Sequence, residues 1–250
     1  MMLHGFSASG ASQYSAFSGR LLPHVRRIVL PDLPGHGQST VPAEGLVPAS
    51  MLDALVAILD ATIDEPAVVF ASSMSGGLAV QAARCRPTKV RALVLCSPSG
   101  APFSLAELDQ FQKTFSVNTH RDALAFIDRL APRSAPDSMT LPGLLGEFAT
   151  RHAYAWGLRR QWKRPHFVEL LRRVPELPSL RPDELRSLAM PVYVIWGEKD
   201  DILPPSQAAY YRAHLPPSST METPPHFGHT PYLHHSAELA ERLLAFLRRV

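Results

Sequence analysis

Short apolar runs alternate along this chain with longer stretches of helical periodicity, and few folds accommodate that rhythm. The runs, rich in β-branched residues, cover 27–30, 67–71, 90–96 and 191–196, with a weaker one at 219–223. Continuous apolar runs of this length are typical of strands that are buried on both faces of a parallel sheet. Helical stretches at 49–61, 76–85 and 237–247 complete the pattern, which predicts an α/β fold: a mostly parallel sheet covered by helices on both faces.

Residues 101–189 interrupt this alternation. They contain segments of helical periodicity but no convincing strand, and prolines at 132, 136, 142, 165, 175 and 178 divide the segments. We predict an all-helical cap over 101–189 and an α/β core domain formed by 1–100 and 190–250. Apolar residues 1–3 run straight into His4-Gly5, as the end of a buried strand would. The first strands of the core are therefore expected to be missing, either because the sequence starts downstream of the natural start or because the protein has lost them.

The composition limits the class of protein. A chain of 250 residues accommodates one α/β domain with an insertion. Its 46% apolar and 19% charged residues are ordinary for a soluble globular protein. No apolar run approaches the roughly 20 residues of a membrane-spanning helix, no signal peptide is visible, and two cysteines make no disulfide framework. We therefore expect a cytoplasmic protein with no membrane partner.

Positive charge is concentrated in one part of the chain. The formal net charge is +3 and the isoelectric point is about 9.0, with many arginines between Arg151 and Arg173. No nucleic-acid-reading motif accompanies them, so we interpret them as a solvated helix face and expect no nucleic-acid partner. One hypothesis stays open, in which an acidic acyl carrier docks on arginines of this cluster: Arg159, Arg160, Arg172 and Arg173.

A candidate nucleophile follows the apolar run at 67–71. A serine held on a sharp strand-to-helix turn needs small residues two positions before and two positions after it, because strand and helix nearly touch there. Ser73 satisfies this requirement with Ala71 and Ser75. A second register, with Ser75 as the nucleophile between Ser73 and Gly77, stays open, as does a Ser/Gly-rich turn with no chemistry. We prefer Ser73 because it directly follows the strand.

A serine hydroxyl needs a base to take its proton, and the base needs a carboxylate to orient it. The strong run at 191–196 leads into a polar turn at 197–204 that contains Asp200, and His229 lies shortly before the last helix. Asp200 and His229 are therefore candidates for the acid and the base. Two neighbours of Asp200 are weaker candidates for the acid: Asp201 and Glu198.

His226 lies on the same loop as His229, with the spacing of a pair of metal ligands. A zinc site needs further ligands, and no other cluster with metal-ligand spacing is evident. We therefore expect neither a metal nor a cofactor.

These segments resemble the α/β-hydrolase superfamily. Residues 71–75 look like its Gly-x-Ser-x-Gly elbow with both glycines replaced, and 197–200 and 228–231 match its Gly-x-x-Asp and Gly-His-x-Pro turns. The most specific match is Asp32-Leu-Pro-Gly-His-Gly-Gln-Ser39, which fits the family's Asp-x-x-Gly-x-Gly-x-Ser turn and is interpreted as structural. The resemblance covers 3–100 and 191–250.

The resemblance implies a serine hydrolase whose triad is Ser73, Asp200 and His229, in the family's chain order. It also implies an oxyanion hole formed by two backbone N–H groups. One belongs to Met74, directly after the nucleophile, and the other to Phe6, in a segment similar to the family's His-Gly-x loop.

Among family reactions, a serine at this position argues against epoxide opening and halide displacement, which use a carboxylate. We predict hydrolysis of a carboxylic ester, or a related acyl bond, of a small, partly apolar substrate. Four aromatic residues are predicted to line the pocket: Phe6, Phe126, Phe148 and Trp156. Alternatives are hydrolysis of a carbon–carbon bond in ring-fission diketones, a lyase or cofactor-free peroxidase reaction, or a catalytically inactive binding module.

Overall fold

In the computed structural model, which describes residues 1–6, 10–130, 141–174 and 179–250, five strands form one parallel sheet. Their order in the sheet follows their order in the chain: β1 (Met2–Leu3), β2 (Ala67–Ser72), β3 (Val90–Cys96), β4 (Val192–Ile195) and β5 (Thr220–Glu222). The register aligns Ala71 with Leu3 on one side and Leu95 on the other. The parallel sheet predicted from the sequence is confirmed, and all five carboxyl ends lie at one edge of it.

The strand predicted at 27–30 does not form. Among the described residues, one backbone hydrogen bond joins this run to the sheet, from Met2 N–H to the Val29 carbonyl at 2.9 Å. Ile28 and Leu30 nevertheless pack against the core. The apolar pattern therefore recorded burial correctly, and the error lay in taking burial as a sign of strand pairing.

Helices cover both faces of the sheet. In chain order they are α1 (Ser15–Leu21), α2 (Pro48–Thr62), α3 (Met74–Cys85), α4 (Leu105–Thr114), α5 (His120–Leu130), α6 (Leu141–Trp162), α7 (Pro165–Arg172), α8 (Pro182–Arg186), α9 (Pro205–His214), α10 (Pro231–His234) and α11 (Ser236–Leu247). Alternate residues of each strand point to opposite faces, which gives two cores. Val69 packs with α2 and α3, whereas Phe70 packs with α1 and α11.

Within 101–189, the described residues form the helices α4 to α8 and no strand. Aromatic rings from this region join the core. Phe126 packs edge-to-face on Trp162 with 4.4 Å between the ring centroids, and the Trp162 and Phe6 ring centroids are 5.8 Å apart. The helical region therefore contacts the loop after β1. The division of the chain into core and cap domains stays a prediction. Of the helices in the described ranges, none combines the length and apolar character that crossing a bilayer requires.

The Asp-x-x-Gly-x-Gly-x-Ser turn is held by its own first residue. The Asp32 carboxylate accepts hydrogen bonds from the N–H groups of Ala11, at 2.7 Å, and Gln38, at 3.0 Å. The backbone carbonyl of Asp32 accepts a further hydrogen bond from the Ser39 hydroxyl. Gly37 has a φ of 53°, and a Cβ there would lie about 2.2 Å from the carboxylate. These contacts support a structural role for the turn.

This turn buries His36 completely, with its Nδ1–H donating to the Pro34 carbonyl at 2.9 Å. Burial, followed by the charge interaction with His4, lowers the pKa of His36 to about 3. His166 and Asp32 also face the ring. Because a histidine in the unfolded chain has a pKa near 6.5, the unfolded state binds a proton below that pH that the native state does not.

We therefore expect acid to destabilise the protein partly through His36. As pH falls from about 6 to about 4, this residue should cost the wild type about 1.4 kcal/mol of unfolding free energy per pH unit, and His36→Gln should remove that contribution. Urea unfolding at a series of pH values measures both slopes. His24→Gln, at an exposed position, is the control and should keep the wild-type slope. Parallel curves for wild type and His36→Gln would contradict the assignment.

Candidate active site

Ser73 occupies the turn between β2 and α3. Its backbone has φ 52° and ψ −122°, a conformation that residues other than glycine rarely adopt. Backbone hydrogen bonds hold it: Ser73 N–H donates to the Cys96 carbonyl at 3.1 Å, and its carbonyl accepts from Gly76 and Ser99 at 2.9 Å. The surrounding structure therefore maintains a strained serine at the carboxyl end of the sheet.

The small neighbours of Ser73 are buried as the turn requires. Ala71 is fully buried. The Ser75 hydroxyl points into the protein, where it donates to the Leu3 carbonyl at 2.8 Å and accepts from Ser72 N–H at 3.1 Å. Ser75 thus ties α3 to β1 and β2. The structure does not bring it to His229, so the alternative register lacks a base.

Three side chains lie in one hydrogen-bonded series. His229 Nε2 is 2.9 Å from Ser73 Oγ, and His229 Nδ1 is 2.8 Å from Asp200 Oδ2. The side chains of His229 and Asp200 are only 3% and 1% exposed. Ser73, Asp200 and His229 follow β2, β4 and β5, whose carboxyl ends meet at the same edge of the sheet. The three residues, which lie far apart in the sequence, are therefore neighbours in the folded protein.

Asp200 is buried and yet kept ionised. Burial by itself raises the pKa of this carboxyl, whereas its electrostatic interaction and hydrogen bond with His229 lower it. The Leu203 and Ile202 N–H groups also donate to Oδ1, at 3.1 and 3.0 Å, and the net result is a pKa below the usual range. An anionic Asp200 fixes the proton of His229 on Nδ1, which leaves Nε2 free to accept the Ser73 proton.

The rival residues lie elsewhere. The Asp201 side chain is 73% exposed and pairs with Arg129 at 3.5 Å, and Glu198 is exposed. His226 contacts Glu238 through Nε2, at 2.7 Å, and does not join the series.

His226, His235 and Glu238 form a cluster whose ligand atoms lie within 4.8 Å of one another. Sequence reasoning missed this cluster, because a loop and the start of a helix bring its members together. Arg242 donates to Glu238 at 2.7 Å, placing a cation beside the carboxylate that a metal would need. We interpret the cluster as part of an ion-pair network.

The loop that carries Phe6 lies directly against the nucleophile. A Cβ on Gly5 would be 2.9 Å from Ser73 Cβ, so glycine permits this approach. His4 fixes the loop: Nδ1–H donates to the Gly5 carbonyl at 2.8 Å, and Nε2 accepts from Leu33 N–H at 2.9 Å. Burial lowers the pKa of His4, consistent with a neutral, orienting ring. Met74 opens α3, so its N–H has no acceptor within the helix.

A cavity of about 360 Å³ opens at Ser73. Its walls come from α2, α3, α4 and α7, and most of the lining side chains are apolar: Met51, Leu52, Met74, Leu78, Phe111 and Leu170. Several of these lie on helices whose periodicity predicted a buried face but not what that face contacts. Within the described part of the chain, the lining includes no charged side chain.

The four aromatic residues predicted to line the pocket divide into two pairs. Phe6 lines the large cavity and a smaller one beside it, and Phe126 lines the smaller one. Phe148 and Trp156 are 61% and 60% exposed and line neither cavity. They lie eight residues apart on α6, about two helical turns, so they share its outer face.

Comparisons with known proteins identify proteins that are similar to this chain. A family model described as the alpha/beta hydrolase fold matches residues 1–236. A 2-hydroxymuconate semialdehyde hydrolase of Pseudomonas putida is 25% identical over 251 residues, 99% of this chain and 86% of that protein. A pimeloyl-acyl-carrier-protein methyl ester esterase of Nitrosomonas europaea is 28% identical over 211 residues, 81% and 77% of the two chains. The solved structure of an esterase from Exiguobacterium antarcticum matches with a TM-score of 0.74 at 20% identity, covering 99% of this chain and 90% of that one.

The geometry predicts which serine a fluorophosphonate probe labels. Ser73→Ala should abolish labelling, since His229 activates that hydroxyl. Ser75→Ala should keep labelling at Ser73 while losing about 1–3 kcal/mol of stability, because the change removes buried hydrogen bonds. Intact-mass analysis and peptide mapping locate the adduct, and urea unfolding measures the stability. An adduct on Ser73→Ala would show that another residue is the nucleophile.

Proposed function

Because this chain belongs to the α/β hydrolase family, we propose that it is a serine hydrolase that cleaves esters of apolar carboxylic acids. The observation that carries the proposal is the hydrogen-bonded series Ser73–His229–Asp200, which opens on an apolar cavity. An intact series of this kind also argues against an inactive binding module. Binding alone does not require a serine with a strained backbone that is hydrogen-bonded to a histidine.

The reaction proceeds through an acyl-enzyme. Ser73 Oγ attacks the ester carbonyl while His229 Nε2 takes its proton, and the same nitrogen then gives that proton to the departing alcohol. Water repeats the sequence: His229 removes a proton from it, the resulting hydroxide attacks the acyl carbonyl, and His229 returns the proton to Ser73 Oγ as the carboxylic acid leaves. Asp200 keeps His229 oriented and stabilises the imidazolium in each half. In serine triads, replacing this carboxylate by an amide lowers kcat about 10⁴-fold.

The tetrahedral intermediates place negative charge on the former carbonyl oxygen. We assign its two donors to Met74 N–H and Phe6 N–H, because Met74 begins α3 directly after Ser73 and Gly5 holds the Phe6 loop against it. Donors that are preset in this way need no reorganisation during the reaction, and one of them typically accounts for about 10²–10³ in kcat.

The acyl group belongs in the large cavity. Its apolar walls favour a hydrocarbon chain, and each methylene buried there contributes about 0.8 kcal/mol of binding. A charged group would lose its hydration without gaining a partner among the lining residues that the structure describes. We therefore propose an uncharged aliphatic acyl group.

Carbon–carbon bond hydrolysis is the second candidate, and the Pseudomonas putida relative favours it. That relative is named for a muconate semialdehyde, whose carboxylate would be unpaired in the cavity described above. This consideration places ester hydrolysis first.

The cavity predicts how activity depends on acyl chain length. For ethyl esters from acetate to decanoate, kcat/KM should rise about fourfold per methylene until the chain fills the cavity. Leu52→Trp, inside the cavity, should move the optimum to shorter chains, and the exposed matched control Leu105→Trp should not. Acid release is followed in a pH-stat, with 2-hydroxymuconate semialdehyde assayed in parallel. Acetate as the best ester would contradict the acyl assignment, and turnover of the semialdehyde alone would favour the second candidate.

Docking of an acidic acyl carrier is a further proposal. The name of the Nitrosomonas europaea relative includes such a carrier, and Arg160 is exposed above the Trp156 ring at 5.6 Å. Two other arginines of the cluster already pair with Glu169: Arg172 and Arg173.

If a carrier docks on this surface, Arg160→Glu should raise KM for a carrier-linked ester several-fold at low salt and leave KM for the free ethyl ester unchanged. Steady-state kinetics at two salt concentrations measure both values. Equal KM values in wild type and variant would remove the proposal.

A further inference from the structure

The residue after His229 is bonded to a helix from another part of the chain. The Thr230 N–H donates to the Leu130 carbonyl at 3.0 Å, and the Thr230 hydroxyl donates to the same oxygen at 2.8 Å. Leu130 is the last residue of α5. The carboxyl end of this helix is therefore attached to the base loop one residue from the base.

Helix geometry explains why the Leu130 carbonyl is available. The last four carbonyls of an α-helix have no N–H partner within the helix, so they need donors from elsewhere. Thr230 supplies two donors to one of them. Thr230 is buried, with 6% exposed, and a buried hydrogen bond is electrostatically stronger than one in water. The contact therefore satisfies the end of α5 and restrains the base loop at the same time.

The Thr230 hydroxyl is directed away from its usual local partner. Thr230 precedes α10, and a threonine at this position commonly accepts a hydrogen bond from an N–H group of the helix that it starts. The Thr230 side chain makes no such bond, and its hydroxyl donates to α5 instead. The side chain therefore connects two distant elements and does not cap its own helix.

The last turn of α5 also contacts the acid loop. Arg129 pairs at 3.5 Å with Asp201, the residue after Asp200. Both side chains of this pair are partly exposed, so we expect it to restrain its loop less than the buried Thr230 contacts do. The loops that carry Asp200 and His229 thus meet the end of one helix.

The same helix borders the candidate active site. Phe126 and Leu130 line the smaller cavity, of about 30 Å³, together with Ser73 and His229. Phe126 is buried and belongs to the apolar core, which fixes the helix along its length. α5 therefore connects the wall of the site with the backbone that carries the base.

We propose that Thr230 is a positioning residue, through which the carboxyl end of α5 sets the position of His229 relative to Ser73. His229 Nε2 lies 2.9 Å from Ser73 Oγ, and a displacement of about 1 Å can cost about 10²-fold in rate. Asp200 orients the ring through Nδ1, whereas Thr230 restrains the backbone that carries it. The inference rests on the proposed serine hydrolase mechanism and adds a residue outside the triad.

Two substitutions at Thr230 test this role. Thr230→Val keeps the shape of the side chain and the backbone N–H bond but removes the hydroxyl bond, and Thr230→Ser retains a hydroxyl. We expect Thr230→Val to lower kcat for ethyl octanoate about tenfold and to change KM less than about twofold, because the base is misplaced while the acyl cavity is intact. Thr230→Ser should keep kcat within about threefold of the wild-type value.

Fluorophosphonate labelling gives a second readout that does not require ester turnover. The second-order rate constant for labelling of Ser73 depends on how well His229 takes the serine proton, and it does not depend on how much of the protein is folded. It should fall about tenfold in Thr230→Val and stay near the wild-type value in Thr230→Ser. A merely structural role would reduce the amount of labelled protein and leave this rate constant unchanged.

Thr62 provides a matched control. Its hydroxyl donates to the Ile58 carbonyl at 2.7 Å, near the carboxyl end of α2, so it is also a threonine bonded to a helix carbonyl. Thr62 is half-buried and lines neither cavity. Thr62→Val should therefore keep the wild-type kcat, KM and labelling rate constant.

The outcomes separate this inference from the function on which it rests. A wild-type labelling rate constant in Thr230→Val, an equal loss in Thr62→Val, or a rise in KM without a fall in kcat would overturn the positioning role and leave ester hydrolysis standing. Labelling of the wild type without hydrolysis of any ester would overturn the proposed ester hydrolysis, and the labelling rate constants would still support or overturn the role of Thr230. Neither labelling nor hydrolysis by the wild type would overturn both.

Discussion

The candidate site depends on the contact between the loop that carries Asp200 and the loop that carries His229. His229 and Asp200 meet through a buried hydrogen bond of 2.8 Å, and the backbones that carry them are pressed together. A Cβ on Gly197 would lie 2.1 Å from the Phe227 carbonyl, which also accepts from Lys199 N–H at 2.9 Å. Because these loops hold each other, the imidazole has a fixed position in the absence of substrate, as the proposed catalysis requires.

Much of this arrangement could be predicted from local sequence. A parallel sheet brings the carboxyl ends of its strands to one edge, so placing Ser73, Asp200 and His229 after three predicted strands already implied that they meet. The elbow was predictable although both of its usual glycines are absent, because Ala71 and Ser75 meet the same steric limit. The error at 27–30 has the same origin as the successes: apolar runs report burial, and pairing depends on which backbone lies alongside.

The cavity walls were less predictable. Helical periodicity identifies a buried face but does not say against what the face packs, so α6 contributed two wrong pocket residues, Phe148 and Trp156, while Trp162 of the same helix reaches the site. The lining of the acyl cavity from α2 and α3 depends on how helices sit above the sheet edge, which is a tertiary property. The pairing of Gln13 with Tyr232 spans 219 positions and has no local signal.

For the proposed ester hydrolysis, the apolar lining of the large cavity also bears on product release. The acid product would ionise at neutral pH, and among the described residues that line this cavity there is no cation to replace the lost hydration. Ionisation would therefore turn a well-bound acyl group into a poorly bound anion and favour its release. The same apolar wall would thus admit a neutral ester, oppose product inhibition by the acid, and disfavour substrates that carry a carboxylate from the start.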